Sequence, residues 1–377
     1  MKTPGRHRPN PALLIVAALA IFALFGGGCG DNGDGASPGP TVVRAASAGE
    51  PRSLRLGLSA APPERTGQAY VNAFATAAQY ADVLLIQRPP PWGDFMPGGT
   101  VSNATAENTR LETALLDQYS KLGLFYAIDP TDGVVQRSRI ANLPAGVDPA
   151  VGFLDKDLRN AFIAYTAYVV KNYHPDYLAI GVEINMLYER AQPQFEAFVS
   201  LYAEAYAVAK AASPSTKVFP TFQLEDIEGR SAAAHPPHWE VLDYFRGRMD
   251  ALAISSYPFL GDLRSAADVP PDYYTQLRAR WPAPGEILIS EAGYSSMPVE
   301  GAVNIGTEED QAAYLLRLLK EAEQQGFSLV TWAAALDPAF AREGAPSVLR
   351  DIGLRRADGS NKLAWGTWEE WARRPLK

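Results

Sequence analysis

Two glutamates close two short apolar runs. The first run reads Tyr177-Leu-Ala-Ile-Gly-Val-Glu183-Ile-Asn185, the second Glu286-Ile-Leu-Ile-Ser-Glu291-Ala-Gly293. Runs this short, rich in β-branched and aliphatic residues, read as buried parallel strands. In a parallel β/α barrel the strand ends point into one shared pocket, and a carboxylate there reads as catalytic. Two carboxylates facing each other are the apparatus for breaking a glycosidic bond. In the retaining form they stand about 5–5.5 Å apart, one as nucleophile and one as acid and then base. A buried, unpaired carboxylate costs several kcal/mol, so function is the better reason for either residue.

The rest of the chain must supply the barrel. Strand-type runs recur at Leu54–Ser59, Val83–Gln87, Gly123–Ile128, Tyr177–Val182, Lys217–Phe222, Ala251–Ser256, Glu286–Ser290 and Ser328–Trp332. Helical periodicity marks Gly67–Tyr80, Ala106–Lys121, Lys156–Asn172, Gln194–Ala212, Trp239–Arg246, Pro271–Arg280, Glu308–Gln325 and Thr367–Arg374. Asp155 and Thr307 are candidate N-caps, the latter followed by three acidic residues in the first turn. Strand then helix, eight times over, predicts an α/β fold: a single (β/α)8 TIM barrel over residues 52–377. An open doubly wound sheet would carry a Gly-rich phosphate loop after its first strand. Leu58-Ser59-Ala60-Ala61-Pro62 is no such loop.

Further residues fall at the strand ends that form the mouth. Arg88 ends the second strand; it reads as a partner for Glu183, as a cation that keeps the nucleophile ionised, or as half of a structural ion pair. Trp92 follows on the stiff Pro89-Pro90-Pro91 loop and suits the apolar face of a sugar ring. Asp129 follows the third strand. Gln223 and Glu225 follow the fifth, and Glu225 is the main rival to the carboxylate assignment. Asn185 reads as a substrate contact, a loop cap or the start of the next helix. Tyr257, before Pro258, and Trp332 stand at the ends of the sixth and eighth strands. Tyr165, Tyr168 and Tyr173 read as helix packing. His235 and His238 hint at a metal, but no third ligand stands at a matching spacing, so a loop role and no metal are expected.

At these motifs the chain resembles the clan A glycoside hydrolases. The resemblance rests on Ile289-Ser290-Glu291-Ala292-Gly293-Tyr294, Leu252-Ala253-Ile254-Ser255-Ser256-Tyr257-Pro258-Phe259 and Val330-Thr331-Trp332. The middle segment looks like that of endo-β-1,4-galactanases and related β-mannanases. The resemblance implies Glu183 as acid/base, Glu291 as nucleophile, Tyr257 in contact with that nucleophile and Trp332 as the floor of the sugar site. It implies a carbohydrate substrate and no cofactor. Val182 departs from the pattern, which has Asn before the acid/base glutamate. A non-catalytic sugar-binding protein on the same barrel is the rival reading.

The N-terminus reads separately. Lys2, Arg6 and Arg8 precede the apolar stretch Pro11 to Phe25, then Gly26-Gly27-Gly28 and Cys29, the only cysteine. Residues 1–28 read as a lipoprotein signal peptide, with Cys29 as the lipidation site. An ordinary secretory signal or an uncleaved anchor are the alternatives. Residues 29–51, rich in Gly, Ser, Pro and Ala, read as a flexible tether. The expectation is an extracytoplasmic monomer, lipid-anchored to a bacterial membrane. With 34 Lys+Arg against 42 Asp+Glu the chain is acidic, which argues against nucleic acid as a partner.

Overall fold

The computed structural model describes residues 39–132, 137–231, 235–342 and 347–377. The signal segment, Cys29 and the first part of the expected tether lie outside the described residues.

Among the described residues nine short strands form one parallel sheet: β1 (Arg55–Ser59), β2 (Val83–Arg88), β3 (Gly123–Ile128), β4 (Tyr177–Ile180), β5 (Lys217–Phe219), β6 (Thr221–Gln223), β7 (Ala251–Ser256), β8 (Glu286–Ala292) and β9 (Leu329–Trp332). Their order is β5-β4-β3-β2-β1-β9-β8-β7-β6. The two ends of that order, β5 and β6, are consecutive in the chain and separated only by Pro220. They are one stave in two pieces, so eight staves make a nearly closed barrel. Proline has no N–H to give to a ladder, which is why the stave breaks there. The seam is held by Thr221, whose N–H donates to Gly181 O (3.1 Å) and which pairs with Ala253 of β7. The strands are apolar because both faces are covered: β7 is buried at every position and β2 at all but its last.

Among the described residues ten α-helices surround the barrel or line its mouth: α1 (Gly67–Tyr80), α2 (Trp92–Phe95), α3 (Asn103–Gln118), α4 (Lys156–Tyr173), α5 (Asn185–Arg190), α6 (Gln192–Ala212), α7 (Leu224–Ile227), α8 (Thr275–Arg280), α9 (Glu308–Gln324) and α10 (Leu363–Arg373). Asp155 caps α4 by accepting from Asp157 N and Leu158 N, and Thr307 caps α9 by accepting from Asp310 N, as the sequence predicts. Helix α9 buries Tyr314, Leu315, Leu318, Leu319 and Ala322, one apolar stripe facing the sheet. Two expectations shrink. Trp239–Arg246 is a 3-10 segment over Trp239–Tyr244, and Pro271–Arg280 is helical only from Thr275. The short helices α2, α5 and α7 follow β2, β4 and β6 at the mouth.

Residues 39–51, expected as free tether, are tied to the barrel. Gln118 and Tyr119 donate to Gly39 O and Pro40 O (2.6 and 2.7 Å), and Ala48 N donates to Arg373 O (2.9 Å). Among the described residues no helix is long and apolar enough to cross a membrane.

Candidate active site

Glu183 is placed by an unusual backbone path. Gly181 takes φ +88°, and a Cβ there would stand 2.5 Å from Phe198 Cζ, so α6 can pack only against glycine. Glu183 itself sits at φ +50°. A non-glycine residue in that left-handed region costs roughly 1–2 kcal/mol. The strain is held by Thr221, whose Oγ1 accepts from Glu183 N (2.9 Å) and whose carbonyl accepts from Ile184 N (3.0 Å). The turn aims the carboxylate into the mouth, where it is only 2% exposed. Ser255 Oγ donates to its Oε1 and Arg137 Nε to its Oε2, each at 2.6 Å.

Arg137 is buried and joins two carboxylates. Its Nη1 donates to both oxygens of Asp129 (2.7 and 2.9 Å), and Gln87 Nε2 donates to Asp129 Oδ2 (3.1 Å). The guanidinium pKa is raised further by Asp129 and Glu183, against the opposing effect of burial. A buried network thus runs from β2 through Asp129 and Arg137 to Glu183 and across to β7.

Glu291 is aimed by a bulge. Ile254 pairs with Ile289 but Ser255 with Glu291, and on the other side Ile289 pairs with Val330 but Ala292 with Trp332. One extra residue in β8 therefore shifts Glu291 relative to both neighbours. Its register partner is Ser255, the residue whose hydroxyl donates to Glu183. The two carboxylates meet around that serine. Tyr257 Oη donates to Glu291 Oε1, while Oε2 is buried without a hydrogen-bond partner among the described residues. Burial raises the Glu291 pKa, and the negative charge of Glu183 adds to it; Tyr257 and Arg137 oppose them, leaving it at about 7. Gly293 makes room for Tyr257, since a Cβ there would stand 2.7 Å from Tyr257 Cε1.

Of the residues singled out in the sequence, Asp129 and Tyr257 join the two glutamates here. Five others do not. Arg88 faces the helix layer, where it pairs with Glu112 of α3 and donates to Tyr70 Oη (3.3 Å). The structural ion pair is the reading that survives, and Arg137 takes the place near Glu183 imagined for Arg88. Trp92 is 2% exposed, with its N–H donated to Ala141 O (2.8 Å), so it offers no sugar platform. Asn185 is fully buried and used up: Nδ2 donates to Gln223 O and Asp226 Oδ1, and Oδ1 accepts from Gln223 N. Gln223 caps α7 through Asp226 N (2.5 Å) and donates to Glu225. Trp332 is fully buried against Tyr314 of α9 and donates to Ile352 O (2.8 Å), on the helix side of the sheet.

Glu225 is removed as a rival for a physical reason. Its carboxylate accepts from Ser256 Oγ, Tyr273 Oη, Tyr257 N and Gln223 Nε2, which leaves no acceptor site for a substrate. Tyr165 and Tyr173 pack in the helix layer around Tyr126. A cavity of about 400 Å³ opens beside β2, lined by Tyr70, Arg88, Trp92, Tyr126 and Tyr168 among others. Neither glutamate lines it, although Gln87 belongs to both places. Arg137 and Ser255 were not foreseen. Arg137 lies in a loop without periodicity, and the signal for Ser255 was its place two residues before Tyr257, near a strand end.

No family model matches this sequence, and no curated protein matches it. Solved structures do share the fold. The GH5_18 protein of Bifidobacterium longum subsp. longum, solved with Manβ1-4GlcNAc, superposes with a TM-score of 0.64 at 15% identity over 86% of this chain and 80% of that one. An exo-β-1,4-mannosidase of an Opitutaceae bacterium gives 0.62 at 16% identity, over 88% of this chain and 61% of that one. The GH53 catalytic domain of Ignisphaera aggregans gives 0.56 at 16% identity, over 88% and 99%. At these identities the likeness is one of fold.

Proposed function

We propose that the protein is a retaining glycoside hydrolase acting on β-linked hexose polymers or oligosaccharides of mannan or galactan type. The observation that carries the reading is the meeting of Glu183 and Glu291 around Ser255 at the barrel mouth. Two acids that flank one serine, one of them on strained backbone, suit double displacement better than binding alone. In the first step Glu291 attacks the anomeric carbon, the bond to the leaving oxygen breaks, and Glu183 gives that oxygen a proton. In the second, Glu183 takes a proton from water, the water oxygen bonds to the anomeric carbon, and Glu291 leaves as carboxylate. Tyr257 steadies the nucleophile. The β-mannoside named for two of the similar structures, and the motif resemblance to galactanases, support the substrate class. The residue pattern around Cys29 supports a lipid-anchored, extracytoplasmic monomer.

The test is hydrolysis of aryl β-mannosides, aryl β-galactosides and the matching oligosaccharides. Glu291→Gln should lower turnover by roughly 10³-fold, and Glu183→Gln by a comparable factor on substrates with poor leaving groups. Unchanged turnover in Glu291→Gln removes the proposal. One observation favours a second reading, a non-catalytic carbohydrate-binding protein: Glu183 is 2% exposed and locked to Arg137. Binding across a glycan panel with no cleavage products would decide for it.

A further inference from the structure

His235 and His238 flank a point where acceptors converge. Their ring centroids are 4.8 Å apart and their Nδ1 atoms 3.3 Å apart. Glu189 of α5, not visible in the sequence as a partner, brings its Oε2 to 4.0 Å from His238 Nδ1. One ligand atom from each of the three residues lies within 4.8 Å of the others. Pro236 O stands 3.0 Å from His235 Nδ1.

The far sides of the rings face Asp226. Both Nε2 atoms are buried and have no hydrogen-bond partner among the described residues. The groups facing them are the two oxygens of Asp226, at 3.6 Å from His235 and 3.7 Å from His238. Asp226 is fully buried and paired with Arg190 at 2.7 Å. In the tautomer that carries the proton on Nε2, each ring turns its N–H toward Asp226 and presents a lone pair at Nδ1. Two lone pairs, a carboxylate and a carbonyl then surround one point, with no donor among them.

A cation resolves that arrangement. Tetrahedral zinc with Zn–N bonds of about 2.0–2.1 Å sets its ligands about 3.3 Å apart, the separation found between the two Nδ1 atoms. A carboxylate behind each metal-binding histidine is the usual orienting partner. We propose that His235, His238 and Glu189 bind a divalent transition cation of the zinc type, with Asp226 orienting both rings. The set of two nitrogens and one oxygen suits zinc, cobalt or nickel better than calcium or magnesium. The site stands apart from the paired glutamates, and it would pin the loop ahead of the Trp239–Tyr244 segment to α5, the helix that follows Glu183.

The test uses the whole chain freed of metal by a chelator, then given zinc chloride alone in a titration calorimeter and cobalt chloride in a spectrophotometer. One equivalent of zinc and the visible absorption of tetrahedral cobalt are expected. His235→Ala and His238→Ala should abolish both, and Glu189→Gln should weaken binding at least roughly tenfold. Circular dichroism of each metal-free variant checks folding. The Glu189 side chain is 34% exposed, so Glu189→Gln keeps the test decisive if a histidine variant does not fold. No zinc uptake by the wild type, or equal uptake by wild type and Glu189→Gln, would overturn the proposal. Equal uptake would leave a proton shared between the two rings as the account of their contact.

Discussion

The protonation of Glu291 decides which step each glutamate performs. Its carboxyl is held at about 7, by burial first and by Glu183 second. Glu183 meets Arg137 directly, at 2.6 Å. If Glu291 is the nucleophile, only its ionised form reacts, and kcat/KM should climb on the acid side with a midpoint near 7. If the roles are exchanged, kcat/KM should instead fall through the same midpoint as pH rises. A pH profile combined with mass-spectrometric mapping of a trapped 2-fluoroglycosyl ester distinguishes the two. Stability carries the same signature. A carboxyl whose folded pKa exceeds its unfolded value of 4.5 stabilises the fold below that value, and the benefit is lost as pH rises through about 7. Glu291→Gln should therefore match the wild type near pH 4 and exceed it above pH 7, by up to about 3 kcal/mol. Denaturant titrations at the two pH values measure it, and a pH-independent difference would contradict the assigned cause. The pair and Tyr257 were readable because they end strands, where neighbours in space follow from barrel order. Arg137 was not, because a loop residue's partner depends on how the loop folds back.

Among the elements, β8 carries the feature with the largest consequence for the site. Its bulge at Ser290–Glu291 turns Glu291 toward Ser255, and Gly293 leaves the space that Tyr257 fills. Gly293→Ala would push a methyl against the Tyr257 ring. Relieving that overlap should cost about 1–3 kcal/mol of stability. It should also move Tyr257 Oη off Glu291 and lower kcat/KM by tenfold or more, as small misplacements do. A variant with wild-type kcat/KM would mean that the tyrosine contact contributes nothing to turnover. The eight βα units were legible because both faces of every stave are covered, which leaves continuous apolar runs. The split at Pro220 was not read, since Lys217–Phe222 counts as one run by its apolar content, although proline cannot join a ladder. The bulge was not read either, because an extra residue in a run buried on both faces from Ile287 to Ser290 breaks no alternation. Trp332 was misread, and Arg88 left open, for a related reason. A strand end names a place on the mouth, but the pleat decides whether the side chain enters the pore or the helix layer.

Across the whole molecule the two ends of the described chain meet at the base of the barrel, opposite the mouth. Arg52 N donates to Pro375 O and Lys377 N to Arg52 O, each at 2.9 Å, so the segment before β1 pairs with the segment after α10. The Arg52 side chain, 1% exposed, holds the junction: it donates to Trp371 O (3.0 Å), Leu54 O (2.5 Å) and Asp82 Oδ2 (2.7 Å). Arg52→Met keeps the stem but removes the charge, so Asp82 retains Leu56 N and the half-exposed Arg44 while losing its buried partner. The expected cost is about 3 kcal/mol by urea denaturation. Turnover of the folded variant should be unchanged, because the substitution lies at the opposite end of the strands from Glu183 and Glu291. A loss below about 0.5 kcal/mol, within the range of ordinary surface changes, would show that closure at the base rests on the backbone pairing rather than on this arginine.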